Sequence, residues 1–305
     1  MVALALSASV LLWGCGNEED GGTAAAAGAT PEAGGTLRIA AAGAIESLDP
    51  LLAARRGERL AARQIYEPLV SQESGPFGQT RRRPGLVPSL EPSAGGTIWT
   101  ARLRPGVHFS DGEPLDADAV LANASRWMQE PAGAALLPEL RAVDSPRPGL
   151  VRFQLDRPTP DFPDELEHGE LGLVAPDAMI AGGAALRPNA AGTGPFELRE
   201  SEPGRTLLAR NASWWGSRLG LGPGVDQIEL TEVDDRRSRG EQLENGAVEL
   251  ADDLGAPIAR TVAEDPLLTV VGNAGALLGV ERSVRGVESA ADDQPLADVW
   301  LTDLR

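Results

Sequence analysis

The sequence predicts an α/β fold, on three observations. Residues 226–251 read as strand, helix and strand: Ile228 and Leu230 share one face of Asp226–Val233, Asp234 caps a helix over Asp235–Asn245, Gly246 takes the usual glycine position after a helix, and Ala247–Ala251 is apolar again. Near the N-terminus, Leu37 and Ile39 alternate with Thr36 and Arg38 as a first strand, and Leu51–Glu67 follows as a mostly helical stretch. Between them, Trp99–Met128 packs a strand, two tight turns and a helix start into one run.

That run can be justified residue by residue. Residues 99–103 alternate in character and include aromatic and β-branched members. Pro105-Gly106 turns the chain, Val107 and Phe109 flank His108 in a second short strand, and Ser110-Asp111-Gly112 turns it again. Asp116 suits a helix N-cap, Asp118 adds negative charge to the first turn, and Val120, Ala124 and Trp127 fall on one face. In the earlier helix, Leu60, Gln64, Ile65 and Tyr66 share a side, with Arg55, Arg56, Arg59 and Arg63 on the wetter one. Residues 75–92 form a Gly/Pro-punctuated loop, Leu136–Val143 leads to a proline-rich turn at Asp144, and 150–155, 267–271 and 276–280 are strands.

Composition removes several function classes. The chain has 305 residues, enough for one large or two modest domains, and a net charge of −18, which argues against a nucleic-acid backbone as partner. All basic residues are arginine, so lysine-dependent phosphate loops and Schiff bases are impossible. The single cysteine, Cys15, rules out an internal disulfide framework and a cysteine metal cluster. His108 and His168 have no zinc-type spacing, and no G-x-S-x-G elbow occurs. Asp111, Glu113, Asp116 and Asp118 miss the calcium-loop spacing and are explained by turns and caps. Gly192-Thr193-Gly194-Pro195-Phe196 fails as a dinucleotide fingerprint, because Glu197 stands where the third glycine would be. Nothing points to a paired-carboxylate glycosidase. No enzyme, no cofactor and no metal is expected.

The N-terminus carries an address. Val2–Trp13 is apolar and too short to span a bilayer as a lone helix, and it reads as a signal-peptide core. Leu12-Trp13-Gly14-Cys15 is similar to a bacterial lipobox, in which the cysteine is lipidated; the alternative is a lone cysteine buried in an apolar segment. Residues 16–33 are low-complexity and polar, as a flexible tether would be.

Trp99, Thr100, Leu103, Arg104, Gly106, Val107, Phe109, Asp111, Gly112, Pro114 and Val120 stand in the order of the signature region of the family 5 extracellular solute-binding proteins. The chain resembles that family, which serves peptide, nickel and related ABC importers. Gly34–Arg38, Ser47-Leu48-Asp49-Pro50, Ile65–Val70, Pro84–Leu90, Ala175–Met179, Gly192–Phe196 and Asn211–Gly216 extend the resemblance over about residues 34–254.

The resemblance implies a periplasmic-binding-protein-like fold of type II, of which one lobe is present and the second largely absent. Residues 1–14 are then a signal peptide and 15–33 a tether. Residues 34–66 with 190–258 form a sheet-based subdomain, 67–189 an inserted α+β subdomain, and 259–305 the start of a truncated second lobe or a tail. It implies a lipid-anchored, extracytoplasmic receptor that hands an oligopeptide- or dipeptide-type solute to an ABC permease and ATPase, without catalysis. Ala42, Gly43, Ala44 and Glu46, after the first strand, are the candidate cleft residues, with Thr193 and Trp215 added; Trp214 and Trp215 offer either packing or a stacking surface. The missing lobe normally supplies the acidic partner of a peptide's amino terminus. Glu170–Val174 lacks the arginine found near this point in nickel-chelate binders, which counts against that specificity. The other functional reading is a single-lobe lipoprotein, or a gene fragment, acting as an interaction module.

Overall fold

The structure, a computed structural model, describes residues 34–74, 80–82, 85–181, 186–187, 189–263, 268–273, 276–281, 284–285 and 300–301. The chain opens with β1 (Thr36–Ala41) and α1 (Arg56–Ile65), then a short pair, β2 (Gln72–Ser74) and β3 (Thr80–Arg82). Next come β4 (Ser89–Pro92), β5 (Ile98–Arg102), α2 (Ala117–Gln129), α3 (Pro131–Leu136), β6 (Leu140–Arg147), β7 (Leu150–Leu155), α4 (Phe162–Glu165) and α5 (Pro176–Ala181). β8 (Phe196–Glu202), β9 (Arg205–Arg210), β10 (Gln227–Glu232), α6 (Arg236–Glu244), β11 (Leu250–Ala251) and α7 (Gly255–Val262) follow. β12 (Leu268–Asn273), β13 (Ala276–Glu281), β14 (Val284–Arg285) and β15 (Trp300–Leu301) complete the described elements.

Two sheets organise these elements. The larger has seven strands in the order β12-β13-β11-β1-β10-β9-β8, and the smaller has four, β4-β5-β7-β6. β1 runs parallel to β10 and to β11, while the other pairs in the large sheet are antiparallel. Within 259–305, expected as the start of a truncated second lobe or a tail, β12 and β13 pair onto the edge of the large sheet, with Val280 opposite Leu250.

The predicted elements shift in detail. α1 is shorter than Leu51–Glu67. It starts after Arg55, where Glu58 at the third helical position accepts the backbone N–H groups of Ala54 and Arg55 at 3.0 and 2.9 Å. It ends at Ile65, with Tyr66 as an extended C-cap, and it cannot run on through Glu67, which precedes Pro68 and so avoids helical backbone. α6 is capped by Asp235, one residue later than expected, through a 2.8 Å bond from Ser238 N–H. The second short strand at Val107–Phe109 reduces to a single bridge between His108 and Pro114. β6 runs on through Asp144 to Arg147 with two register shifts, so the turn falls at Pro148-Gly149.

One apolar core joins both sheets. Leu37, Ile39, Ile65 and Tyr66 belong to the same buried cluster as Trp99, Val120, Trp127, Phe153 and Phe162. Phe162 stacks at a tilt on Phe153 and Trp99, with ring centroids 5.4 and 6.1 Å apart. Asn123, buried on α2, acts as a strand segment would: its side chain exchanges bonds of 2.8 and 3.0 Å with the backbone of Val174. Gly192 and Gly194 must be glycine because the turn lies on the end of α1. A Cβ at Gly194 would stand 2.6 Å from the Ile65 carbonyl oxygen, and one at Gly192 would overlap it.

Candidate functional site

β1, β10 and β11 are neighbours that point the same way, so their carboxyl ends open on one edge of the sheet. In open α/β sheets this edge is where ligands settle. Here it holds an open basin of about 470 Å³ lined by Ala42, Gly43, Asp234, Asp235, Arg236, Arg239 and Asp253. Gly43 has φ +83°, which favours glycine by backbone conformation, and a Cβ there would make only ordinary contacts with Arg55 and Asp234 at 3.8 and 4.0 Å.

The walls are pinned by buried charge. Arg239 is 1% exposed. It donates to the carbonyl oxygens of Asp252, Val233, Asp234 and Asp253 at 2.6, 2.6, 2.9 and 2.7 Å, and so laces the exits of β10 and β11 together. Arg56 grips the buried Asp252 carboxylate at 2.8 Å. Closer to water, Arg55 pairs with Glu46 at 2.6 Å and Arg236 with Asp253 at 2.9 Å. Asp235 is spent on the cap of α6, whose bonds from Ser238 hold its carboxyl below the usual range. Among the described residues the Asp234 side chain makes no hydrogen bond, and the Arg55 guanidinium, which feels its charge, is already held by Glu46. One basin carboxylate is thus left without a side-chain partner.

The loop after β1 is shaped by a residue that sequence reasoning passed over. Glu58 is 3% exposed, and besides the start of α1 it accepts the N–H groups of Glu46 and Ser47, each at 3.2 Å. A glutamate at the third position of a helix is the signal that could have found it. Ile45 N–H is held by Glu232 at 3.0 Å, and the buried Asp49 is paired with Arg126 of α2.

The predicted site residues separate into two groups. Ala42 and Gly43 line the basin, with Ala44 and Glu46 on the loop beside them. Thr193 and Trp215 lie at the other end of the sheet: Thr36 is level with Gln227, Ala209 and Glu197, one residue past the start of β8. Both are buried, at 0% and 6% exposure, which removes them from the basin. The tryptophan pair packs, with ring centroids 5.6 Å apart and the Arg104 guanidinium 4.6 Å above Trp215. Trp215 Nε1 donates to Glu67 at 2.8 Å. Burial pushes the Glu67 carboxyl up to about 7, against the opposing pull of Trp215, Thr193, Trp214 and Arg104. Cys15 lies outside the described residues. No cluster of His, Cys, Asp or Glu suited to a metal ion occurs among those described.

Comparison with known proteins agrees with this geometry. The profile of the bacterial extracellular solute-binding proteins, family 5 middle, matches residues 81–296. The probable D,D-dipeptide-binding periplasmic protein DdpA of Escherichia coli (strain K12) is 28% identical over 218 residues, which are 68% of this chain and 41% of DdpA. The glutathione-binding protein GsiB of Escherichia coli O1:K1 / APEC is 26% identical over 210 residues, 67% of this chain and 40% of GsiB. The crystal structure of NikA from Brucella suis in complex with Fe(III)-EDTA superposes with a TM-score of 0.66 at 27% identity, covering 77% of this chain and 48% of NikA. The chain thus spans less than half the length of each of these proteins. It belongs to the family 5 bacterial extracellular solute-binding proteins, a family of binding proteins rather than enzymes.

Proposed function

We propose that this chain is the first lobe of a solute receptor for an ABC importer, and that the basin is its half of the ligand cleft. The observation that carries the reading is the position of the basin at the carboxyl ends of three parallel neighbours, in a chain of this family. Ala42, Gly43, Ala44 and Glu46 are its solute contacts, and Asp234 joins them. The names of DdpA and GsiB favour a dipeptide- or oligopeptide-type solute. The unpaired carboxylate of Asp234 favours one that presents a positive group to this lobe. Residues 34–66 with 190–258, and the 67–189 insertion, act as one half of a hinge-closing pair. A permease and ATPase take the solute onward. Residues 1–14 direct export, and Cys15 carries the lipid that holds the 15–33 tether at the membrane surface.

Isothermal titration against di- to pentapeptide pools tests the receptor reading. Saturable heat is expected, weakened about tenfold in Asp234→Asn, the loss of one charged contact. No heat with any pool overturns it and favours an interaction module. Mass spectrometry of membrane-extracted protein tests the anchor: diacylated Cys15 is expected, and a free thiol with Met1 retained refutes it.

A further inference from the structure

The Glu67 carboxylate plays no part in the basin. It lies where the exit of α1, the Gly192–Gly194 turn, the paired tryptophans and the chain just past β5 meet, and the residue is 9% exposed. Trp215 Nε1 reaches it at 2.8 Å. Thr193 and Trp214 stand close enough to favour its charged form. Yet Thr193 Oγ1 and Trp214 Nε1, both buried, find no hydrogen-bond partner. Buried donors are rarely left unmade. An ionised carboxylate can accept about four bonds, so this seam holds more donors than it uses.

The seam also joins the two sheets. The Glu67 carbonyl accepts Leu173 N–H at 3.0 Å, and Gly194 N–H bonds to the Ile65 carbonyl at 2.8 Å. Arg104, two residues past β5, covers Trp215 and donates to the Gly85 carbonyl at 2.8 Å. Of the charged groups on the packed elements, Arg104 acts on the carboxylate and favours its charge. The Tyr66 phenol is governed by burial and by Asp49 and Arg126. Arg63 faces Glu170 at 3.9 Å, on the segment that His168 begins, and Arg218 lies against Gly106.

We propose that Glu67 is a protonation-controlled latch on the seam between the two sheets. Ionised, it gathers Thr193 Oγ1 and Trp214 Nε1 beside Trp215 Nε1. Neutral, it keeps Trp215 alone, and the Gly192–Gly194 turn and the tryptophan segment loosen from the end of α1. With burial opposed by three donors and Arg104, the carboxyl titrates at about 7, so both states are populated near neutrality. The latch does not depend on what the basin binds.

Indole N–H resonances of the full chain, followed from about pH 5 to about pH 9, test it. Trp214→Phe and Trp215→Phe assign the two signals. Both should shift together with a midpoint near 7, and the Trp214 proton should move downfield as pH rises and its bond forms. In Glu67→Gln both should be flat. Should Glu67→Gln fail to fold, Thr193→Val decides: losing a donor to the charged form must move the midpoint upward. Flat signals in the natural chain, an unchanged titration in Glu67→Gln, or an unmoved midpoint in Thr193→Val overturns the latch.

Discussion

At the carboxyl end of β1, most carboxylates meet a guanidinium or a helix cap and several face water; at its amino end a lone carboxylate stands buried beside donors it does not use. The contrast follows from solvent. In the basin a side chain can change partners at small cost, because water stands ready to replace either one. At the seam every polar group depends on its neighbours, so a single proton alters the local structure. Arg239 is the exception that links the two regimes, since it is a buried charge beneath an open site.

Arg239→Ala probes that exception first. It strips four backbone carbonyls of their donor, and a loss of about 4 kcal/mol is expected in urea unfolding. A loss under about 1 kcal/mol would mean that the basin floor is as solvated as its rim. Gly192→Ala comes next, at about 3 kcal/mol, because the new methyl group must displace the Ile65 carbonyl. Gly204→Ala is its control: φ is +86° but no atom lies within 4 Å of the new carbon, so about 1 kcal/mol of backbone strain is all that is expected.

Stability should also depend on pH through Glu67. The folded carboxyl sits at about 7, above its ordinary 4.5, so the folded state binds the extra proton. Its contribution is fully present below about 4.5 and is lost as pH rises through about 7, a change of about 3 kcal/mol. The difference in unfolding free energy between the natural chain and Glu67→Gln, measured across that window, isolates this group from the other carboxylates. A difference constant with pH would place Glu67 in water. The smallest effect belongs to the rim. Glu46→Gln breaks an ion pair whose side chains are 69% and 46% exposed, and urea unfolding should scarcely change, least of all in high salt.

What could be foreseen from sequence divides along the same line. The Trp99–Met128 unit was legible because its causes are local: Asp116 does cap α2, with a 3.0 Å bond from Ala119 N–H, and Val120, Ala124 and Trp127 are buried on one face. The loop after β1 was singled out only through the family resemblance, because small residues beyond a strand mark a connection and nothing more. The placement of Thr193 and Trp215 was not legible, because it depends on contacts distant in sequence, such as the bond from Trp215 to Glu67, 148 residues before it. Nor was the division of the arginines on α1. Arg56 and Arg63 sit on the face expected to be wet, yet their side chains are only 20% and 23% exposed, turned to Asp252 and Glu170. Periodicity locates a face but says nothing of a distant carboxylate that comes to cover it.

The sheet order has a consequence for how the molecule is made. β1 is hydrogen-bonded on its two sides to β10 and β11 alone, and the first contact across the parallel pair spans 191 residues. On a ribosome, the buried Leu37 and Ile39 must therefore wait, unpaired, until β10 and then β11 have emerged. The four-stranded sheet closes within residues 89–155 and can form long before then. The basin therefore forms after the smaller sheet, and a nascent chain stalled before Asp252 would carry a finished smaller sheet and an incomplete basin floor.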